Sequence, residues 1–284
     1  MFTQTKSKFT ALLCGVCALM ITSCNEETAP SIEETKNISE EVKSQFKSLG
    51  FDVSDIRMSE DQELLDPAYE AGNYVLENDI IITPENLIEM LNSDVHHTGA
   101  VGEQYRTNNL VNSPRTIRVI GYTGGSYALD NTMRTALNWA INNYNRLNTG
   151  LNFTLTFGTN YQPYDIVVYR VSGGGGGSAG FPSNGNPYKF VQIQSGTSQF
   201  GTNVTEHVIT HEIGHCLGMR HTDFFNRSLS CGTGGNEGDG GVGAVYIPGT
   251  PTGFDPNSIM LACFSSSEDG EFGPFDVAAL EFLY

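Results

Sequence analysis

Basic residues are scarce in this chain. Over 284 residues, 15 Lys and Arg stand against 32 Asp and Glu, a formal charge of −17. Such a surface repels a phosphate backbone, so nucleic acid is excluded as a partner, while solubility is favoured. The balance would suit basic or neutral peptides better than acidic ones, without naming a substrate. An apolar run long enough to cross a bilayer, about 20 residues, is also missing; the run at 9–21 falls short. The five glycines at 173–177 are followed by no Lys-Ser or Lys-Thr, which excludes a phosphate-cradling loop and leaves a flexible rim. A second glycine-rich stretch, 232–243, holds Glu237 and Asp239 but lacks the regular ligand spacing of a calcium loop, so Ca2+ stays a secondary candidate. Cysteines number six, and only Cys216, Cys231 and Cys263 lie beyond residue 24.

What is present begins with a targeting segment. Lys6 and Lys8 precede the apolar run, as in a secretory signal. It ends in Ile21-Thr22-Ser23-Cys24, which resembles a bacterial lipobox; cleavage at residue 23 would leave Cys24 first and lipidated. An ordinary signal with an incidental cysteine is the alternative. Asn25-Glu26-Glu27 resembles the acidic tether that sends some lipoproteins of Gram-negative bacteria to the cell surface. The expectation is a soluble monomer held by lipid at an outer membrane or cell surface, with periplasmic and outward orientations both open. Losing the leader removes two lysines and no acid, leaving 13 basic against 32 acidic groups. Disulfides persist outside the cytoplasm. Three cysteines allow one bond; Cys231–Cys263 is preferred because the two flank one long loop, and Cys216–Cys263 competes.

The strongest signal is His211-Glu212-Ile213-Gly214-His215-Cys216-Leu217-Gly218-Met219-Arg220-His221, an H-E-x-x-H continued as H-x-x-G-x-x-H. Four residues make about one helical turn, so His211 and His215 can aim at one ion, with Glu212 roughly 100° around as general base. On an unbroken helix His221 would point roughly 80° away and sit about 9 Å beyond His215. Gly218 is placed to end the helix in the left-handed conformation and return the chain. Three protein ligands leave the fourth zinc position open, the mark of a catalytic site. Cys216 is rotated off the ligand face and reads as packing.

These residues resemble the metzincin clan of zinc endopeptidases. The letters H-E-I-G-H-C at 211–216 with Arg220-His221-Thr222-Asp223 resemble the bacterial dual-action HEIGH metallopeptidase family more closely. The resemblance implies a Met-turn beneath the metal, and Ser258-Ile259-Met260-Leu261-Ala262 supplies Met260. It implies one catalytic Zn2+, a protein or peptide substrate, and an α+β fold: a mixed twisted sheet with a long backing helix and a zinc helix, then a C-terminal subdomain with the Met-turn and a terminal helix. Two departures stand out. Thr222 follows the third histidine where astacins have glutamate, and no tyrosine lies two residues after Met260. The rival function is a surface adhesin or glycan-binding lipoprotein that keeps zinc for structure.

Three segments follow: a leader at 1–23, a tether and candidate pro-region at 24–112, and a catalytic domain at 113–284. In the second, 33–49 reads as helix or disordered stalk, 74–76 and 80–82 as short strands, and 84–91 as a helix opening at Thr83. Leu76-Glu77-Asn78-Asp79-Ile80 resembles the F-E-G-D-I stretch of astacin pro-peptides, whose aspartate blocks zinc. Asp79 is therefore either the acidic edge of a strand or a ligand in a latent form. His96 and His97 are adjacent, cannot share a helix face, and read as a loop pair. In the catalytic domain, strands are expected at 116–120, 151–157, 165–171 and 188–194. A helix at 130–147, capped by Asp130, carries Leu129, Met133, Leu137, Ala140, Ile141 and Tyr144 on its apolar side. The zinc helix opens near 203, and 275–284 forms the terminal helix. By the metzincin resemblance, 189–194 is the edge strand that pairs with substrate.

Overall fold

The computed structural model describes residues 38–59, 72–92, 104–238 and 242–284. The leader, Cys24, the tether at 25–27, His96, His97 and Asp239 lie outside those residues.

Two caps set the helices of the described N-terminal residues. Helix α1 (Glu40–Ser48) opens on Ser39, whose hydroxyl accepts from the Val42 N–H, so the stretch read as helix or stalk is helical from 40 on. Strands β1 (Arg57–Met58), β2 (Tyr74–Leu76) and β3 (Ile80–Ile82) follow, then α2 (Pro84–Leu91). The Thr83 hydroxyl accepts from the Asn86 N–H at 3.0 Å, and Pro84 occupies the first turn, where no donor is needed. Strand β4 is Tyr105–Arg106.

Beyond it come β5 (Arg115–Tyr122), α3 (Asn131–Asn145), β6 (Leu151–Gly158), β7 (Ile166–Val171), β8 (Gly177–Gly180), β9 (Phe190–Gln194) and α4 (Thr202–Leu217). The short α5 (Ser228–Cys231), β10 (Val245–Tyr246) and α6 (Pro274–Leu283) complete the chain. Asp130 caps α3 by accepting from the Met133 N–H at 2.9 Å. Met133, Leu137, Ala140, Ile141 and Tyr144 recur at helical spacing and are buried.

Eight strands form one sheet in the order β1-β2-β3-β8-β9-β7-β5-β6, and β10 pairs β4 apart from it. The β5–β6, β5–β7 and β7–β9 pairs are parallel, and β8 runs antiparallel to β9. Outer strand β6 alternates, Leu151 and Phe153 inward against Asn152 and Thr154 outward. Central β7 is buried without a break from Ile166 to Tyr169, as a strand covered on both faces requires, and only Arg170 interrupts it near the end. The main core joins this sheet to α3, α4 and α6. A smaller one gathers Phe46, Phe51, Leu76, Ile80, Ile82, Leu87 and Met90 with Phe181 from beyond β8.

One expectation is overturned. The segment 189–194 is not an edge: β9 lies between β7 and β8. Its polar alternation misleads because Gln192 is buried and satisfied internally, donating to the Tyr169 hydroxyl at 2.9 Å and accepting from Ser178. The strand beyond it is β8, Gly-Ser-Ala-Gly, which carries no apolar signal and shares only Gly177 with the glycine run read as a flexible rim. Nor is the outer side of β8 open. Strand β3 pairs with it in parallel, Ile80 opposite Ala179 and Ile81 opposite Gly180.

Candidate metal centre

Helix α4 carries His211, Glu212 and His215, all buried. It ends at Gly218, φ +109°, whose N–H reaches the carbonyls of Gly214 and His215. A Cβ there would lie 2.8 Å from the Thr107 hydroxyl and 3.0 Å from the Asn109 carbonyl oxygen. Both conformation and space thus call for glycine. The chain then reverses, the Arg220 N–H donating to the Tyr105 carbonyl at 2.9 Å, and His221 comes back beside the other two rings.

Each imidazole has its Nδ1 against an acceptor: His211 on the Ile259 carbonyl at 2.8 Å, His215 on the Met219 carbonyl at 2.8 Å, His221 on Glu237 Oε1 at 2.6 Å. With Nδ1 donating, Nε2 presents a lone pair. The His221 Nε2 lies 3.2 Å from that of His215 and 3.3 Å from that of His211. Lone pairs this close repel unless a cation stands among them. Ligands about 2.0–2.1 Å from a tetrahedral zinc are about 3.3–3.4 Å apart, so this donor set fits zinc. His207, one turn earlier, stays out of the cluster; burial pushes its pKa down to about 3.

Asp79 joins from the N-terminal part. Its Oδ2 is 2.6 Å from His221 Nε2 and 3.4 Å from each of the other two. The carboxylate points into the cluster rather than out from a strand edge. The β2–β3 turn puts it there: Glu77 and Asn78 both take positive φ, 60° and 64°, and the Asp79 N–H closes the turn on the Leu76 carbonyl. Asparagine tolerates that conformation, so Asn78 can hold the turn without a glycine. Burial opposes charge on Asp79, yet the three imidazoles hold its carboxyl well below the usual range. Burial, and then Asp79, push the neighbouring Glu212 well above its ordinary value. Burial lowers His215 to about 4. At His221 burial is outweighed by Glu237 and Asp79, and the pKa rises to about 10.

Sequence reasoning missed the carboxylate behind His221. Glu237 lies in the glycine-rich loop considered for calcium, but its side chain turns inward. Neither spacing nor periodicity marks it; the one hint was an acid in a loop otherwise rich in glycine. Glu77 and Arg227 meet it there, with Arg227 Nε 3.3 Å from Glu77 Oε2 and 3.4 Å from Glu237 Oε1. Burial and Glu237 raise Glu77 to about 9. A cavity of about 250 Å³ opens beside Asp79, His211 and Glu212, with Arg227 and Phe264 on its walls.

Met260 is buried beneath α4, where a Cβ on Gly214 would come 2.6 Å from its sulfur. Its segment is fixed by Asp276, which accepts from the Ser258 hydroxyl at 2.6 Å and the Ile259 N–H at 3.0 Å. Cys231 and Cys263 are joined in a disulfide, and Cys216 is a buried free thiol.

Residues 74–284 match the family model described as dual-action HEIGH metallo-peptidase. A comparison with curated proteins returns no match. Among solved structures, two of myroilysin are similar at 14% identity and TM-score 0.39 each. One covers 61% of this chain and 81% of its own, the other 72% and 98%. With the HEIGH helix, its returning third histidine and the match over 74–284 together, the chain belongs to the dual-action HEIGH metallopeptidase family.

Proposed function

We propose that this metallopeptidase is a zinc endopeptidase of the metzincin type, lipid-anchored through Cys24 outside the cytoplasm and made in a latent form. The observation that carries the reading is the convergence of three Nε2 atoms beside a buried glutamate. Zinc held by His211, His215 and His221 would supply Lewis acidity toward a peptide carbonyl and toward water. Glu212 accepts the proton of the attacking water and returns it to the leaving amine nitrogen as the carbon–nitrogen bond breaks. Gly177 lets β8 run against that base, since a Cβ there would meet Glu212 Oε1 at 2.6 Å. A peptide paired with β8 therefore passes directly beside the general base. Met260, under Gly214, fits the role of Met-turn floor.

Latency follows from two contacts of the same segment. Asp79 stands at the Nε2 cluster, and its carbonyl accepts from the Ala179 N–H at 3.0 Å, so β3 holds the edge a substrate would use. Residues 24–112 would then serve as a pro-segment, with Asp79 at the metal position and β3 on the strand edge. The lipobox at 21–24 supports the anchor.

The test is digestion of a peptide library by zinc-loaded protein after limited proteolysis of the full chain, with and without chelator, beside Glu212→Gln. Cleavage should vanish with chelator. The variant should bind zinc and lose about 10²–10⁴ in rate, the usual worth of a general base. Near-normal proteolysis by Glu212→Gln would sink the mechanism.

A further inference from the structure

The three imidazoles are not held alike. His211 and His215 sit on α4, and their Nδ1 atoms reach backbone carbonyls fixed by the fold. His221 lies beyond the helix end, where no helical repeat sets its direction. Its Nδ1 faces instead a side chain, Glu237, from a loop without regular structure. A carboxylate there is costly to bury unless other groups compensate it. Glu237 is wholly buried, and so is the group opposite, Arg220, the residue just before His221. Arg220 Nη2 lies 3.4 Å from Glu237 Oε2. The same guanidinium donates to the Gly243 carbonyl at 2.9 Å and to the carbonyl of Gly238, the residue next to Glu237, at 3.0 Å. Its Cζ lies over the rings of Phe181 and Phe224, 5.6 Å from each centroid. The Glu237 N–H donates to the Phe224 carbonyl at 2.7 Å, which fixes the backbone as well.

We propose that Glu237 is the positioning residue for the third metal ligand. It keeps the proton on Nδ1 of His221 and aims Nε2 at the ion, and Arg220 holds Glu237 in place for that purpose. The inference rests on the metal site proposed above. A carboxylate behind a ligating imidazole also makes it more basic, and loss of such a partner weakens metal binding by about 10–100-fold.

The test uses the full-length chain, titrated with Zn2+ against a chelator and with Co2+ by visible absorption. Glu237→Ala should weaken zinc binding by about 10–100-fold and change the cobalt ligand-field bands. Glu237→Gln, which keeps an acceptor for the Nδ1 proton, should fall between it and the parent. Because Glu237→Ala takes the carboxylate partner from the buried Arg220, it should also melt lower. The double variant Arg220→Met with Glu237→Gln removes the buried charge pair and separates the effects. It should regain melting temperature and still bind zinc more weakly than the parent. Parent-like zinc affinity and cobalt spectra in Glu237→Ala and in the double variant would overturn the proposal. A parent chain that binds neither ion would overturn the metal site itself.

Discussion

Asp79→Ala in the zinc-loaded full chain would separate the two locks proposed for one cleft. The Asp79 carboxylate touches all three Nε2 atoms, at 2.6, 3.4 and 3.4 Å. With zinc bound the carboxylate would meet the ion instead of the rings; taken as no stronger than a hydrogen bond to a charged group, about 1.5–3 kcal/mol net, that contact is equivalent to about 10–100-fold in the population with a free metal position. The substitution leaves the second lock closed. The Asp79 carbonyl still accepts from Ala179, and Ile80 and Ile82 remain in the small core with Leu76 and Phe181. Activity on a fluorogenic peptide should therefore rise by about one to two powers of ten, but stay below that of the chain cleaved free of residues 25–110. Asp79→Asn keeps the size and removes the charge, so it should fall between the two. If cleavage of the segment raises activity while Asp79→Ala stays at the parent level, the carboxylate is no latch. If cleavage raises nothing, the pro-segment reading fails as a whole.

Gly218→Ala forces a side chain into the left-handed region, about 1–2 kcal/mol, and against Thr107 and Asn109. Calorimetry should show a lower melting temperature together with weaker zinc binding, because the turn that returns His221 is displaced; unchanged zinc affinity would refute that role. Without an ion, the carboxylates of Glu237 and Asp79 raise His221 to about 10, so its Nε2 also carries a proton, which zinc must displace to reach the lone pair. Apparent zinc affinity should therefore climb as pH rises from 6 to 9. Titration calorimetry in two buffers of different ionisation enthalpy should count the released proton, and no buffer dependence would refute it. Asp130→Ala removes the cap of α3, worth about 1 kcal/mol, and should lower the melting temperature by about 2–4 °C without touching zinc affinity.

The chain announces by itself whatever depends on near neighbours. His211, Glu212 and His215 lie on one helix, so the 3.6-residue repeat alone sets their common direction. Gly218 as the break, Thr83 and Asp130 as caps, and the alternation of β6 are equally local, and the structure places them where their chemistry requires. Only the tertiary structure decided what meets across distance. Asp79 is 132 positions from His211, and sheet register, not spacing, brings β3 onto β8 and its carboxylate to the rings. The same is true of Glu237, whose loop has no pattern to read, and of β8, whose small residues hide a strand because a Cβ on Gly177 would meet Glu212 of α4 and one on Gly180 would meet Tyr188 and the Ile81 carbonyl. Helical geometry is written in steps of three and four residues, whereas contacts between distant segments depend on how the whole sheet closes, which no short window of sequence contains.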